Sequence, residues 1–297
     1  MRVTTNSFPD NLVYHLQRVS SRMATLQEQA ATGQRLIDPS DDPAAAVRVL
    51  NYQSERGQIL QYYRNAQRAQ DIINATTSEV RNLMTASGRA NEIIALSTDL
   101  TGTEALSAYG TEVNQLLEQA LVNANANFNE EPLFGGTTAN TRPFTATRDA
   151  NGNITGVTYD GSANTAEFQV ADGSRVSPYV GADKNLQILD FLNNLVGLRD
   201  ALGTGDAAAV KAQATPLQAS EDNLINMISG QGALQQRVDV EITQNSTRYS
   251  DLAEQISREA DADLSQTVVQ LTQAQNAYQA ALMSAGKILN QSLLDYL

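Results

Sequence analysis

The chain has no cysteine, no tryptophan and a single histidine, and aromatic residues make up only 5% of its 297 positions. Without cysteine there is no disulfide, no thiolate nucleophile and no zinc site built on sulfur. The lone His15 excludes any centre that needs two imidazoles, and no HExxH pattern is present. So few aromatics suit long Ala/Leu/Gln-rich helices better than a compact enzyme core. Uninterrupted apolar runs stop at four residues, as at Ile93–Leu96, far short of the roughly 20 that span a bilayer. Basic residues are the minority, 20 Lys and Arg against 33 Asp and Glu, for a net charge of −13. That surface repels phosphate backbones and anionic headgroups, so neither nucleic acid nor a membrane is expected as a partner. The opening residues Met1–Asn6 lack an apolar h-region, so no Sec-type signal peptide is expected.

What is present is helical patterning in two zones, with a different composition between them. The first helix carries Leu12, Leu16, Val19, Met23, Leu26, Ala30 and Gly33, a heptad seam of alternating four- and three-residue steps. Gly33 and Pro39 mark its end. Asp41, Asp42 and Pro43 then punctuate the chain, with Asp42 suited to an N-cap and Pro43 to the first helical position. Helices are expected over Ala44 to about Leu100 and over about Glu104 to Asn127. Residues 138–183 are rich in Gly, Thr, Asn and Val, and read as strands at Phe144–Arg148, Ile154–Tyr159, Ala166–Val170 and Arg175–Val180. Asn151-Gly152 marks a hairpin between the first two.

Helical spacing resumes after Gly181, with Asp206 as an N-cap, Pro216 as a kink and Gly230/Gly232 as a joint. From Leu234 onward a seam runs through Leu264, Val268, Leu271, Tyr278, Leu282, Leu289 and Leu293. Four-residue steps between Leu252 and Val268 resemble a stutter.

The fold class expected is therefore mainly α. It is an elongated helical bundle with the N- and C-terminal coiled-coil segments paired and a small β-rich insertion at the distal end. The divisions expected are 1–42 with 257–297 as a terminal coiled-coil assembly domain, 43–137 with 184–256 as a helical rod domain, and 138–183 as the insertion. Because the insertion is entered at Gly135-Gly136 and left near Gly181, its ends can lie close together, and a short linker is expected to replace it without loss of helicity.

No constellation for catalysis emerges, and the protein is expected not to be an enzyme. Asp149, Asn151, Asn153 and Asp160 match part of a calcium-loop template, but Ile154 stands where the turn glycine belongs. A plain hairpin loop explains them. The acidic pairs Asp41/Asp42, Glu130/Glu131 and Asp261/Asp263 read as caps and solvated faces. No cofactor or metal is expected. The terminal seams are what rises above background, and they point to self-assembly through Leu12, Leu16, Val19, Met23, Leu26, Leu264, Val268, Leu271, Tyr278, Leu282, Leu289 and Leu293.

The segment Ala31-Thr32-Gly33-Gln34-Arg35, followed by Asp38-Pro39-Ser40-Asp41-Asp42-Pro43-Ala44-Ala45-Ala46, resembles the N-terminal signature of the flagellin superfamily. The Pro-Ser-Asp-Asp-Pro form, Leu133-Phe134-Gly135-Gly136 with Pro143-Phe144, and the ending Ser292-Leu293-Leu294-Asp295-Tyr296-Leu297 resemble its hook–filament junction members, hook-associated protein 3, more than flagellin. The resemblance covers both helical zones and is weakest in the insertion. It implies a structural adaptor that forms a ring with copies of itself, between the first hook–filament junction protein and flagellin. It further implies passage through the flagellar export apparatus with help from a cytoplasmic export chaperone, and an extracellular place in the bacterial flagellum. The alternative is flagellin itself, the bulk filament subunit.

Overall fold

The computed structural model describes residues 7–97, 102–138 and 141–294, with side chains described within 11–286. The order is α1 (Ser7–Thr32), α2 (Pro43–Ser97), α3 (Thr103–Ala124), β1 (Asn127–Phe128), β2 (Glu131–Pro132), β3 (Phe144–Arg148), β4 (Ile154–Tyr159), β5 (Phe168–Ala171), β6 (Ser174–Val176), α4 (Ala182–Thr204), α5 (Ala207–Ala212), α6 (Ala214–Ala260) and α7 (Leu264–Leu294). The protein is mainly α, with long terminal helices and a small strand-containing insertion. It divides into two compact units, one of Met1–Gln58 with Arg248–Leu297 and the other of Ile59–Thr247.

Local chemistry accounts for the helix ends. Gly33 stops α1 in the left-handed region at φ 72°, with its N–H donating to the Gln29 carbonyl at 2.9 Å. The Asp42 carboxylate accepts from the Ala45 N–H at 3.0 Å, and Pro43 opens α2 at a position that needs no donor. Asp206 caps α5 by accepting from Ala208 and Ala209. Pro216 does not kink a helix. It lies in the first turn of α6, where a missing N–H leaves no intrahelical bond unmade. Gly230 and Gly232 make no joint either, because α6 runs through both. A Cβ at Gly230 would lie 3.1 Å from the Lys184 ammonium, the tip of a flexible side chain from α4.

The larger unit is built around α3 and α4, with β3 and β4 pressed onto them. Leu117, Ile188, Phe191, Leu192 and Leu195 from the helices share one core with Phe144, Ile154 and Val157 from the hairpin. Two asparagine side chains close the open edges of that hairpin. Asn125 pairs with both backbone groups of Phe144, at 3.0 and 2.9 Å, and Asn193 does the same at Val157, at 3.0 and 3.2 Å. Each amide stands in for the peptide of a missing neighbouring strand. The insertion is thus part of the helical core, which reverses the expectation that a linker could replace it. The second hairpin, β5–β6, buries Val170 and Val176 against Ala66, Ala69 and Ile73 of α2 and Val238 of α6.

Leu133-Phe134-Gly135-Gly136 has a physical explanation in the same unit. Leu133 and Phe134 are fully buried, and the Phe134 carbonyl accepts from both the buried Asn185 amide (2.9 Å) and the Tyr159 hydroxyl (3.0 Å). Gly136 sits at φ 66°, and a Cβ there would lie 2.5 Å from the Ser162 carbonyl oxygen, a backbone atom that cannot swing away. Gly136→Ala is therefore expected to destabilise this unit by about 1–3 kcal/mol, read as a lower urea midpoint with unchanged slope.

Candidate assembly surface

The terminal helices pair within the smaller unit. α1 packs along α7, and the C-terminal end of α1 meets the start of α7, where the Ala262 N–H donates to the Gly33 carbonyl at 2.8 Å. The two helices therefore run antiparallel. On α1 the heptad positions Leu12, Leu16, Val19 and Met23 are half-buried and Leu26 is buried. On α7 the inward side consists of Thr267, Leu271, Ala274, Tyr278 and Ala285. The rest of the C-terminal seam turns outward. Leu264, Val268 and Leu282 are 50%, 52% and 46% exposed, in company with Val269 and Met283. What reads as one seam in sequence is thus two faces, one closing the pair and one left at the surface. Leu289 and Leu293 lie on α7, but their side-chain surroundings fall outside the described residues.

The continuous helix expected beyond Leu234 breaks at 261–263, where Asp263 caps α7 by accepting from Ser265 and Gln266 at 2.9 and 3.1 Å. This break, at the position of the stutter, is clasped to the segment after α1. The Arg35 N–H donates to the Ala260 carbonyl at 2.7 Å, and Gln34 bridges Asp261 in antiparallel fashion. The Arg35 guanidinium reaches the Glu259 carbonyl at 2.6 Å and lies 3.6 Å from Asp42. Arg48 grips the Glu259 carboxylate with two bonds, at 3.1 and 2.9 Å. Asp41 holds the intervening turn by accepting from the Ile37 and Asp38 N–H groups. The segment 31–46, which carries the family resemblance, is therefore the clasp that joins the two ends of the chain. Arg35, Arg48 and Glu259 are its principal members. Sequence reading gives Arg35 only as part of the signature segment and does not single out Arg48 or Glu259, because charges 211 residues apart give no local signal.

The clasp is expected to weaken in acid. The hydrogen bond from Arg48 holds the Glu259 carboxyl below its ordinary value of 4.5, and the Ala45 N–H, aided by Arg35, holds Asp42 below 3.8. A carboxylate depressed in the folded state contributes its full stabilisation above its unfolded pKa and loses it as pH falls through the folded one. Amides of α1 are therefore expected to lose hydrogen-exchange protection, after correction for intrinsic rates, as pH drops below about 4.5. Arg48→Met should remove much of that protection already at pH 7 and flatten the acid response.

The other candidates resolve as structural. The Asp149 carboxylate accepts from the Asn151 and Asn153 N–H groups at 2.9 and 2.8 Å, which makes a hairpin turn. His15 is exposed and meets Tyr14 edge-on. Glu131 pairs with Arg68 and accepts from the Tyr179 hydroxyl. Among the described residues no group of three or more His, Cys, Asp or Glu side chains could hold a metal ion, and no helix is long and apolar enough to cross a membrane.

The chain thus combines, in one unit, paired terminal helices with a capped and clasped joint and, in the other, helices that carry small hairpins. Residues 3–139 match the bacterial flagellin N-terminal helical region, which bears out the resemblance of the sequence to the flagellin superfamily. Among solved structures, the chain is similar to FlgL of Bacillus cereus, at 20% identity and a TM-score of 0.61 over 70% of this chain and 99% of that one. It is also similar to the flagellar junction protein FlgL of Legionella pneumophila, at 12% identity and a TM-score of 0.54 over 72% of this chain and 100% of that one. A Vibrio parahaemolyticus protein assigned as flagellar hook-associated gives 17% identity and a TM-score of 0.66, over 74% of this chain and 100% of that one. These likenesses establish the fold. No curated protein matches the chain by sequence.

Proposed function

We propose that the chain is a structural subunit of the bacterial flagellum that joins the hook to the flagellin filament. It acts by association through its terminal helices and carries out no chemistry. It forms a ring of copies, seated on the first hook–filament junction protein and presenting a surface to flagellin. It leaves the cell through the flagellar export apparatus, escorted by a cytoplasmic chaperone, and works outside the cell.

The observation that carries this reading is the outward face of α7. Residues 264–286 contain no Asp, Glu, Lys or Arg, and the side turned away from α1 presents Leu264, Val268, Val269, Leu282 and Met283. An exposed helix face without charge is a surface made to be covered. The likeness to hook-associated proteins, one of them described as a flagellar junction protein, supports the same place in the flagellum. Electron microscopy of cells lacking this protein tests it. Bare hooks with flagellin shed into the medium are the expected result. Intact filaments would overturn the junction role, and thousands of copies along each wild-type filament would identify the chain as flagellin instead.

A further inference from the structure

The hairpin between β3 and β4 turns on a chemically labile pair. Asn151-Gly152 is the one Asn-Gly step in the 297 residues, and both residues are exposed. Asparagine is a labile residue, most of all before glycine, where no side chain shields the nitrogen that attacks the carboxamide. Here the glycine is not optional. Gly152 takes φ 86°, while a Cβ there would meet nothing within 4 Å. What demands glycine is the left-handed backbone of the turn rather than crowding. The fold therefore places the labile pair at its own turn.

We infer that Asn151 is a self-modification site, at which the Gly152 nitrogen displaces ammonia from the Asn151 carboxamide, and that Asp149 is the brake that holds the turn out of the reactive geometry. The Gly152 nitrogen loses its proton and forms a bond to the carboxamide carbon. The bond to the side-chain nitrogen breaks, ammonia leaves, and a five-membered imide remains. Water adds to either imide carbonyl and opens the ring, giving aspartate or isoaspartate at 151. The net change is one water consumed and one ammonia released, with no oxidation or reduction.

The brake is a set of hydrogen bonds. The Asp149 carbonyl accepts from the Gly152 N–H at 3.1 Å, so the attacking nitrogen is engaged through the proton it must lose. The Asp149 carboxylate accepts from the Asn151 and Asn153 N–H groups at 2.9 and 2.8 Å, and from the Asn153 side chain at 3.1 Å. The Arg148 guanidinium donates to the Gly152 carbonyl at 2.8 Å. The peptides on both sides of Asn151 are thus pinned, and the ring closes only when the turn opens locally. The product has a structural consequence. Isoaspartate adds one main-chain carbon between Asp149 and Asn153, which breaks the spacing of these bonds. The strand cannot absorb it, because Arg148 pairs with Ile154 and Ile154 is fully buried. The hairpin that belongs to the core of the larger unit is weakened at its tip.

The test uses the purified full-length chain at mildly alkaline pH, native and unfolded in urea, with deamidation at each asparagine followed by peptide mass spectrometry. In urea Asn151 is expected to react at least tenfold faster than any other asparagine. In the native chain its rate should fall at least tenfold, and native Asp149→Ala should recover most of the loss. Should Asp149→Ala fail to fold, the wild-type rate is followed in urea below the unfolding midpoint, where it should rise together with hydrogen exchange at the Gly152 amide. Deamidated chain, separated by its added charge and enriched in isoaspartate, should have a lower urea midpoint. Asn151→Asp, which carries the charge without the extra backbone atom, should keep the wild-type midpoint. An unreactive Asn151 in urea would overturn the site. A native rate equal to the unfolded one, a folded Asp149→Ala that reacts no faster than wild type, or a rate that rises only with global unfolding would overturn the brake. An isoaspartate form as stable as wild type would overturn the consequence.

Discussion

Val268→Asp is expected to leave bare hooks on cells that still make and secrete the protein. Val268 is 52% exposed on the outward face of α7, so in the isolated chain the new carboxylate stays in water and changes stability little. In an assembly the same carboxylate loses its water. Burial of one Val contributes about 1.5–3 kcal/mol, and an unpaired charge adds a penalty of several more. If the chain forms the proposed ring, every copy repeats the defect, and the loss is expected to be complete. Leu26→Asp provides the contrast. Leu26 is 6% exposed between the paired terminal helices, so the carboxylate should separate α1 from α7 in the free chain, visible as loss of exchange protection confined to the smaller unit. Gln17→Asp, at an exposed position of α1, should be tolerated. If Val268→Asp supports normal filaments, the outward face of α7 is not the assembly surface.

Replacing residues 139–182 with a Gly/Ser linker is expected to unfold the larger unit. The deletion removes Phe144, Ile154, Val157, Tyr179 and Val180, all buried in the core that also holds Ile188, Phe191 and Leu192 of α4. At roughly 1.5–3 kcal/mol for each large apolar side chain withdrawn, the combined loss is about as large as the roughly 5–15 kcal/mol that keeps a typical domain folded. It also leaves the Asn125 and Asn193 amides without their backbone partners. Circular dichroism should show lost helicity in the range assigned to α3 and α4, and limited proteolysis should cut within 103–204. A deletion variant that keeps a cooperative melt at wild-type helicity would show that the hairpins only decorate the helices.

Much of this fold is legible along the chain, because its signals are local. The strands Phe144–Arg148 and Ile154–Tyr159 follow from alternation around Asn151-Gly152, and the start of α2 follows from Asp42-Pro43. Features set by distant partners are not legible. Gly230 and Gly232 look like a joint, yet α6 runs through both, and the Lys184 ammonium of α4 lies beside Gly230, a neighbour that no window of sequence contains. The β1–β2 hairpin was missed because Asn129 and Glu130 both take positive φ, at 49° and 68°, where the second turn residue would ordinarily be glycine. The C-terminal seam announces apolar residues but not which of them face α1. That division depends on the break at 261–263, which resets the helix before Leu264.

The clasp between residues 33–48 and 257–263 has a consequence for when the protein becomes competent. Its N-terminal half is made first, and its partner groups, Glu259 and the Ala260 carbonyl, leave the ribosome some 211 residues after Arg48. α1 cannot find α7 until nearly the whole chain exists, since α7 begins at Leu264. Contacts so distant in sequence form late. Folding of the segment between them shortens the span that the ends must search. A chain cut short before Leu264 therefore lacks both the helix that pairs with α1 and the stretch without charged residues that this helix carries.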